Sequence, residues 1–260
     1  MHPTSPPRTA KAVTACHHYL RSLKQVIMKK QNIILYCVIV IQFLASIRCD
    51  KDTNKPEPAK LPFVIENLGV TFGAWERETN YAGDFYFSHD FQKIFSEFGA
   101  QVLDPDWNIK ELPTFDYVIR SDAFVFAIAE GEVAWIGKQS SSGDYEFSIR
   151  SLNDPSFYVV YDHLVNLRIS VGDKIQPGDT LGNARPFNSE IGSLEIMVNN
   201  SDTKLSYCPF CFFNEDKLDE YTQKVSRLMR DWEEFKGDST IYDESEHVYP
   251  GCRYESMVSY

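Results

Sequence analysis

The sequence predicts a mainly β fold. A barrel-sandwich β domain is expected at its centre, with a small N-terminal α/β subdomain before it and a C-terminal amphipathic helix after it. Three observations carry this. Between Phe115 and Val198 short apolar or alternating runs follow one another at close spacing: DYVIR, FVFAIA, EVAWIG, YEFSIRSL, FYVVYDHL, LRISV and SLEIMV. Turn residues punctuate them at Glu130-Gly131, Ser142-Gly143, Asp154-Pro155, Gly172-Asp173 and Pro177-Gly178-Asp179. Beyond Cys211 the apolar period lengthens to that of a helix, with Leu218, Tyr221, Val225, Leu228, Met229, Trp232 and Phe235 on one stripe and Asn214 placed to cap it.

Ahead of the β region, Ser88 is expected to cap a short helix carrying Phe91, Ile94, Phe95 and Phe98, with Gly99 as its stop. Aromatic residues crowd the same segment: Phe63, Phe72, Trp75, Tyr81, Phe85, Tyr86 and Phe87. They either pack the small subdomain or line a groove for glycan or peptide, since sugars and peptides stack on aromatic faces. The divisions that follow are a linker at 50–60, a subdomain at 61–110, the β domain at 111–213, the helix at 214–236 and an acidic tail at 237–260.

The head of the chain has a different character. Residues 1–49 contain no Asp or Glu but seven basic residues, and Met28-Lys29-Lys30 leads into the apolar run from Ile33 to Ile47. A basic start, a short apolar stretch and a polar exit describe a secretory signal, and the run falls short of the roughly 20 residues of a spanning helix. Met28 is then the natural start, with residues 1–27 a spurious extension. Cys49, followed by the charged, Pro-containing DKDTNKPEPAK, stands where a lipidated cysteine stands in a lipoprotein. An uncleaved signal anchor or a plain secretory peptide are the alternatives. All of them place the body outside the cytoplasm, anchored to a membrane or secreted, where disulfides form.

From Asp50 onward 19 Lys and Arg face 37 Asp and Glu. So acidic a body excludes nucleic acid as a partner, because that affinity depends on cationic contacts with phosphate. Cys208, Cys211 and Cys252 are the cysteines of the body. Cys208-Pro-Phe-Cys211 reads as a redox pair, half a zinc knot or structural thiols; one structural disulfide among the three is preferred, tying the tail to the barrel edge.

The order VFAIAEGEVAWIG, FYVVYDHL, ISVGDKIQPGDTLG, SLEIMV resembles the lysostaphin-type (LytM-like, duplicated hybrid motif) zinc endopeptidases of bacterial cell walls, over Pro113 to Val198. The resemblance implies a zinc held by a His, an Asp four residues later and the second His of an HxH, with two more histidines assisting the attacking water. Carried over residue by residue, Asp116 falls on the aspartate and His163 on the histidine of the "HL" strand. Leu112 stands where the first ligand histidine belongs, and Ile191 and Ser193 stand on the HxH. His89-Asp90 is a surface or cap pair rather than a substitute ligand. Asp162 and His163, adjacent on a strand, are expected on opposite faces and so form no dyad. Asp116 and Glu195 are candidates for a hard cation or for internal hydrogen bonding.

The expected function is that of a catalytically degenerate member. It would carry no zinc, with Asp116 and His163 as vestiges, and would bind a cell-wall peptide or glycan or regulate a cell-wall hydrolase. An active zinc peptidase cleaving peptidoglycan cross-links and a structural envelope lipoprotein are the alternatives.

Overall fold

The computed structural model describes residues 61–103 and 107–258. The signal segment, Met28, Cys49 and the linker lie outside the described residues, all of which belong to one compact unit, Leu61–Tyr260. Among the described residues no helix is long and apolar enough to cross a membrane.

Strands come first because β-branched and aromatic residues alternate with polar ones. In β7 (Phe115–Arg120) Phe115, Tyr117 and Ile119 turn to the core and Asp116, Val118 and Arg120 turn away. The sheet grows antiparallel around β14 (Ile191–Asn200), which pairs on one edge with β7 and β15 (Leu205–Tyr207). On its other edge it pairs with β11 (Phe157–Val165) and β13 (Thr180–Pro186). β10 (Tyr145–Arg150) and β9 (Gly131–Lys138) extend the sheet beyond β11, and β12 (Lys174–Ile175) closes that edge. β8 (Phe124–Phe126) adds to β13. The turns read from the sequence sit between these strands. LRISV is not a strand, however: Asn166, at φ 51°, turns the chain out of β11, and its successor segment reaches β13 through the single bond from the Arg168 N–H to the Leu181 carbonyl, 2.9 Å.

The N-terminal part is built of strands, with no helix among the described residues of 61–110. β1 (Phe72–Glu76), β2 (Tyr81–Gly83) and β3 (Phe85–Tyr86) form a small sheet, and β4 (Phe95–Ser96) pairs with β7. β5 (Gln101–Leu103) and β6 (Ile109–Glu111) make a separate hairpin. The helix expected from Ser88 is therefore absent. Ser88 spends its hydroxyl on the Asp90 side chain and backbone N–H, at 2.8 and 3.3 Å, in a local turn. Ile94, Phe95 and Phe98 are still fully buried, because Phe95 enters the sheet opposite Tyr117 and stacks on its ring at 5.5 Å. Most of the crowded aromatics are core: Phe63, Phe72, Phe85 and Phe87 are buried, and Trp75 stacks on Phe87 at 5.6 Å.

The helix α1 (Glu215–Lys236) forms where its period predicts. Asn214 caps it, its side chain accepting the Asp216 N–H at 2.9 Å, and Gly237 closes it in the left-handed region at φ 68°. Val225, Leu228, Met229 and Trp232 are buried, and the Trp232 indole N–H donates to the Gln92 carbonyl at 3.1 Å. Removing so large a buried ring costs about 3–5 kcal/mol in typical cores.

The acidic tail is part of the sheet and not an appendage. β16 (Ser256–Val258) pairs with β15; Ile241, Tyr242 and Tyr249 are buried; and Cys252 is bonded to Cys208 with Cα atoms 6.0 Å apart. The Cys211 thiol stands outside that bond and donates to the Glu255 carbonyl at 3.7 Å.

A carboxylate row around one histidine

Backbone register lines up a row of polar side chains across five strands. Ser96 on β4 pairs with Asp116 on β7, Asp116 with Glu195 on β14, and Glu195 with Asp162 on β11. Residues paired in this way point to the same face of the sheet. Glu146 on β10 completes the row through an irregularity. Tyr145 pairs with Leu164 and Phe147 with Tyr161, so Glu146 alone faces both Asp162 and His163. That is a β-bulge, in which two residues on one strand oppose one on its neighbour.

His163 is the extra residue of the bulge and carries φ 65°. Only there does the strand's alternation fail. Its ring therefore lies beside Asp162, with Nδ1 3.7 Å from the Asp162 carboxylate, correcting the expectation that the two point to opposite faces. Strand β11 is held in place from behind: the Tyr161 hydroxyl accepts the Ile128 N–H at 2.8 Å, and its ring stacks on Phe147 at 5.1 Å.

The imidazole is clasped between carboxylates. Nδ1 and the Asp144 carboxylate are 2.8 Å apart, and Nε2 lies 3.6 Å from Glu195, an ion-pair rather than a hydrogen-bond distance. Glu195 is foremost in raising His163 to about 9, with Asp144 and Asp162 adding to it and burial opposing. Asp144, whose side chain is fully buried, stays below the usual carboxylate range: burial pushes it up, but hydrogen bonds from Ser142 and His163 outweigh that. Arg185 approaches the same carboxylate at 3.6 Å. Asp162 is lifted chiefly by burial, although it accepts the Gln139 amide and the His163 N–H, both at 2.6 Å.

Asp116 is the most perturbed carboxyl of the row. Burial first, then the neighbouring Glu195 charge, push it up to about 7, against smaller opposing effects of His163 and of Ser96, which donates at 3.4 Å. Glu146 is raised for the same two reasons, burial and then the charges of Asp162 and Glu195. A carboxyl near 7 is a proton donor or acceptor at neutral pH, and several carboxyl groups gathered around one imidazole make a site for positive charge.

The positions carried over from the resemblance are thus divided. Asp116 and His163 belong to this one row. Leu112, Ile191 and Ser193 are buried, at 8, 2 and 4 % exposure, and supply a methyl, a methyl and a hydroxyl where histidines would stand. They offer zinc no imidazole, and the family's zinc set does not fit. His89 lies apart from the row, stacked on the Phe235 ring at 4.4 Å. Asp144 and Glu146 carried no motif in the sequence; their one signal was the position of each in or beside a strand that follows a polar turn. A second arrangement is possible for a cation, since Asp144, Asp162 and His163 each present one ligand atom within 4.8 Å of the others.

No family model matches the chain, and no curated protein does. Solved structures do. Lysostaphin in solution is 18 % identical over 45 % of this chain and 49 % of its own length, with a TM-score of 0.34. Csd3 of Helicobacter pylori is 14 % identical over 72 % and 46 %, at 0.39. The catalytic domain of lysostaphin from Staphylococcus simulans is 18 % identical over 44 % and 87 %, at 0.35. The chain spans about half the length of the first two. Two of the three carry the name of the family that the sequence resembles, and at these TM-scores function is left to the residues of the row.

Proposed function

We propose that this chain is a catalytically degenerate protein of the lysostaphin-type fold, working outside the cytoplasm, whose cleft binds a cell-wall component or a cell-wall hydrolase without cutting peptidoglycan. The observation that carries it is the exchange at the reacting centre. By the resemblance, buried Leu112, Ile191 and Ser193 fall on positions of imidazoles, and His163, which falls on the remaining one, is tied to Asp144 and Glu195. An imidazole held at about 9 by these carboxylates is protonated at neutral pH, a state in which it holds charge and takes no proton from water. What remains is a polar cleft face with an excess of negative charge, suited to holding a ligand.

A second reading, an active zinc peptidase, is favoured by the closeness of Asp144, Asp162 and His163, two carboxylates and an imidazole being a sufficient protein set for a catalytic ion. Elemental analysis of the purified full chain, a digestion assay on peptidoglycan sacculi and co-sedimentation with them separate the two. Sedimentation without cleavage, and without stoichiometric zinc, is the expected result. Stoichiometric zinc with cleavage overturns the binding reading, and so does failure to sediment with sacculi or to retain a purified wall hydrolase.

A further inference from the structure

Three acceptors in the row are short of hydrogen-bond donors. Among the described residues the Asp116 carboxylate receives the long bond from Ser96 alone, and the Glu195 carboxylate has His163 alone, at 3.6 Å. The third is independent of the charges: Ser193 is 4 % exposed, and its hydroxyl has no hydrogen-bond partner among the described residues. Ser193 lies two residues before Glu195 on β14, hence on the same face, and next to β7. A buried hydroxyl left unpaired costs free energy, which a ligand donor recovers. Asp144 and Asp162, by contrast, already accept from Ser142, His163 and Gln139.

We propose that the row is a receptor for a primary ammonium group, whose three N–H bonds are accepted by Asp116, Glu195 and Ser193. This rests on the binding reading above and gives it a ligand class: a peptide or wall fragment with a free amine. An ammonium is compact and carries three donors and no acceptor. A divalent cation suits the site less, because Ser193 offers a neutral hydroxyl and both His163 nitrogens already face carboxylates. The charge fits as well: five carboxylates, Asp116, Asp144, Glu146, Asp162 and Glu195, surround one imidazolium and Arg185, leaving the row short of positive charge.

The test uses the full chain, with the His163 ring followed by NMR during titration with trialanine amide and with its N-acetylated form. The free amine should move the His163 signal saturably, and acetylation should weaken binding about ten-fold or more, the worth of a charge-assisted hydrogen bond. Ser193→Ala and Glu195→Gln should each weaken the free-amine peptide and leave the methyl spectrum of the core unchanged. Equal binding of both peptides overturns the proposal, as does binding of neither. A response to calcium or zinc chloride with none to the amine overturns it in favour of a metal site. Sacculi provide the separating control: if they sediment with the protein equally before and after acetylation of their amines, the ammonium proposal fails while the wall-binding reading stands.

Discussion

Asp116→Asn should make the protein more stable at neutral and alkaline pH, and the effect should have a definite pH window. In the folded chain burial and the Glu195 charge hold Asp116 at about 7, against an ordinary 3.8. The folded state then binds the proton more tightly than the unfolded state does. Stability is full below about 4, falls as pH rises and reaches its reduced level above about 7. A change of that size corresponds to about 4 kcal/mol. Because Asn puts an NH₂ donor in place of one carboxyl oxygen beside Ser96 and Glu195, about 2–4 kcal/mol of net gain is expected at pH 8 and little below pH 4. The groups facing Asp116 are Glu195, His163 and Ser96, and the substitution leaves them in place. Urea unfolding of both proteins, in half-unit steps from pH 4 to 9, gives a difference curve. It should rise between about 4 and 7 and then stay flat, because the further loss that His163 causes between 6.5 and about 9 is common to both proteins. A difference curve that is flat throughout, or that falls with pH, refutes the buried like-charge pair.

Three other outcomes are expected. Glu195→Gln removes the main cause of the raised His163, so the ring should titrate well below 9 and toward 6.5 in an NMR pH series; an unchanged midpoint would mean that Asp144 alone fixes it. Replacing Cys208 and Cys252 together by serine frees a loop with a sequence separation of 44, which the chain-entropy relation values at about 4 kcal/mol, and the urea midpoint should drop accordingly. Dithiothreitol should then affect the natural chain and leave the double variant unmoved. Trp232→Ala should cost about 3–5 kcal/mol in the same assay, and a loss below 1 kcal/mol would mean that α1 is not docked through this ring.

The parts of the fold legible in the sequence are those that keep one period from end to end. β7 and β14 announce themselves because every second residue is apolar, and α1 because Asn214 and its stripe agree. The segment at 88–98 deceives for the opposite reason. Ile94, Phe95 and Phe98 have helical spacing, yet each is buried by a different neighbour, and Ser88 is consumed by a turn. The tail deceives because Tyr242, Tyr249 and Cys252 are brought inward by turns that impose no period on the sequence.

For the site, single residues could be read and their assembly could not. Asp116, Glu195 and Asp162 each occupy an ordinary outward position, and nothing local says that three strands align them. Register decides that, and register is a tertiary property fixed by which apolar faces meet. His163 is the sharper case. Strict alternation sends it to the face opposite Asp162, where its ring would enter the core beside Tyr161. The bulge opposite Glu146 prevents this by adding a residue at positive φ, which a histidine adopts at some cost. That cost is met by Asp144 and Glu195, which hold the ring only when it is turned their way. The bulge therefore converts one more strand residue into the centre of the row. A histidine kept at that backbone cost and turned toward Asp144, Asp162 and Glu195 is a residue whose place is fixed by the charges around it.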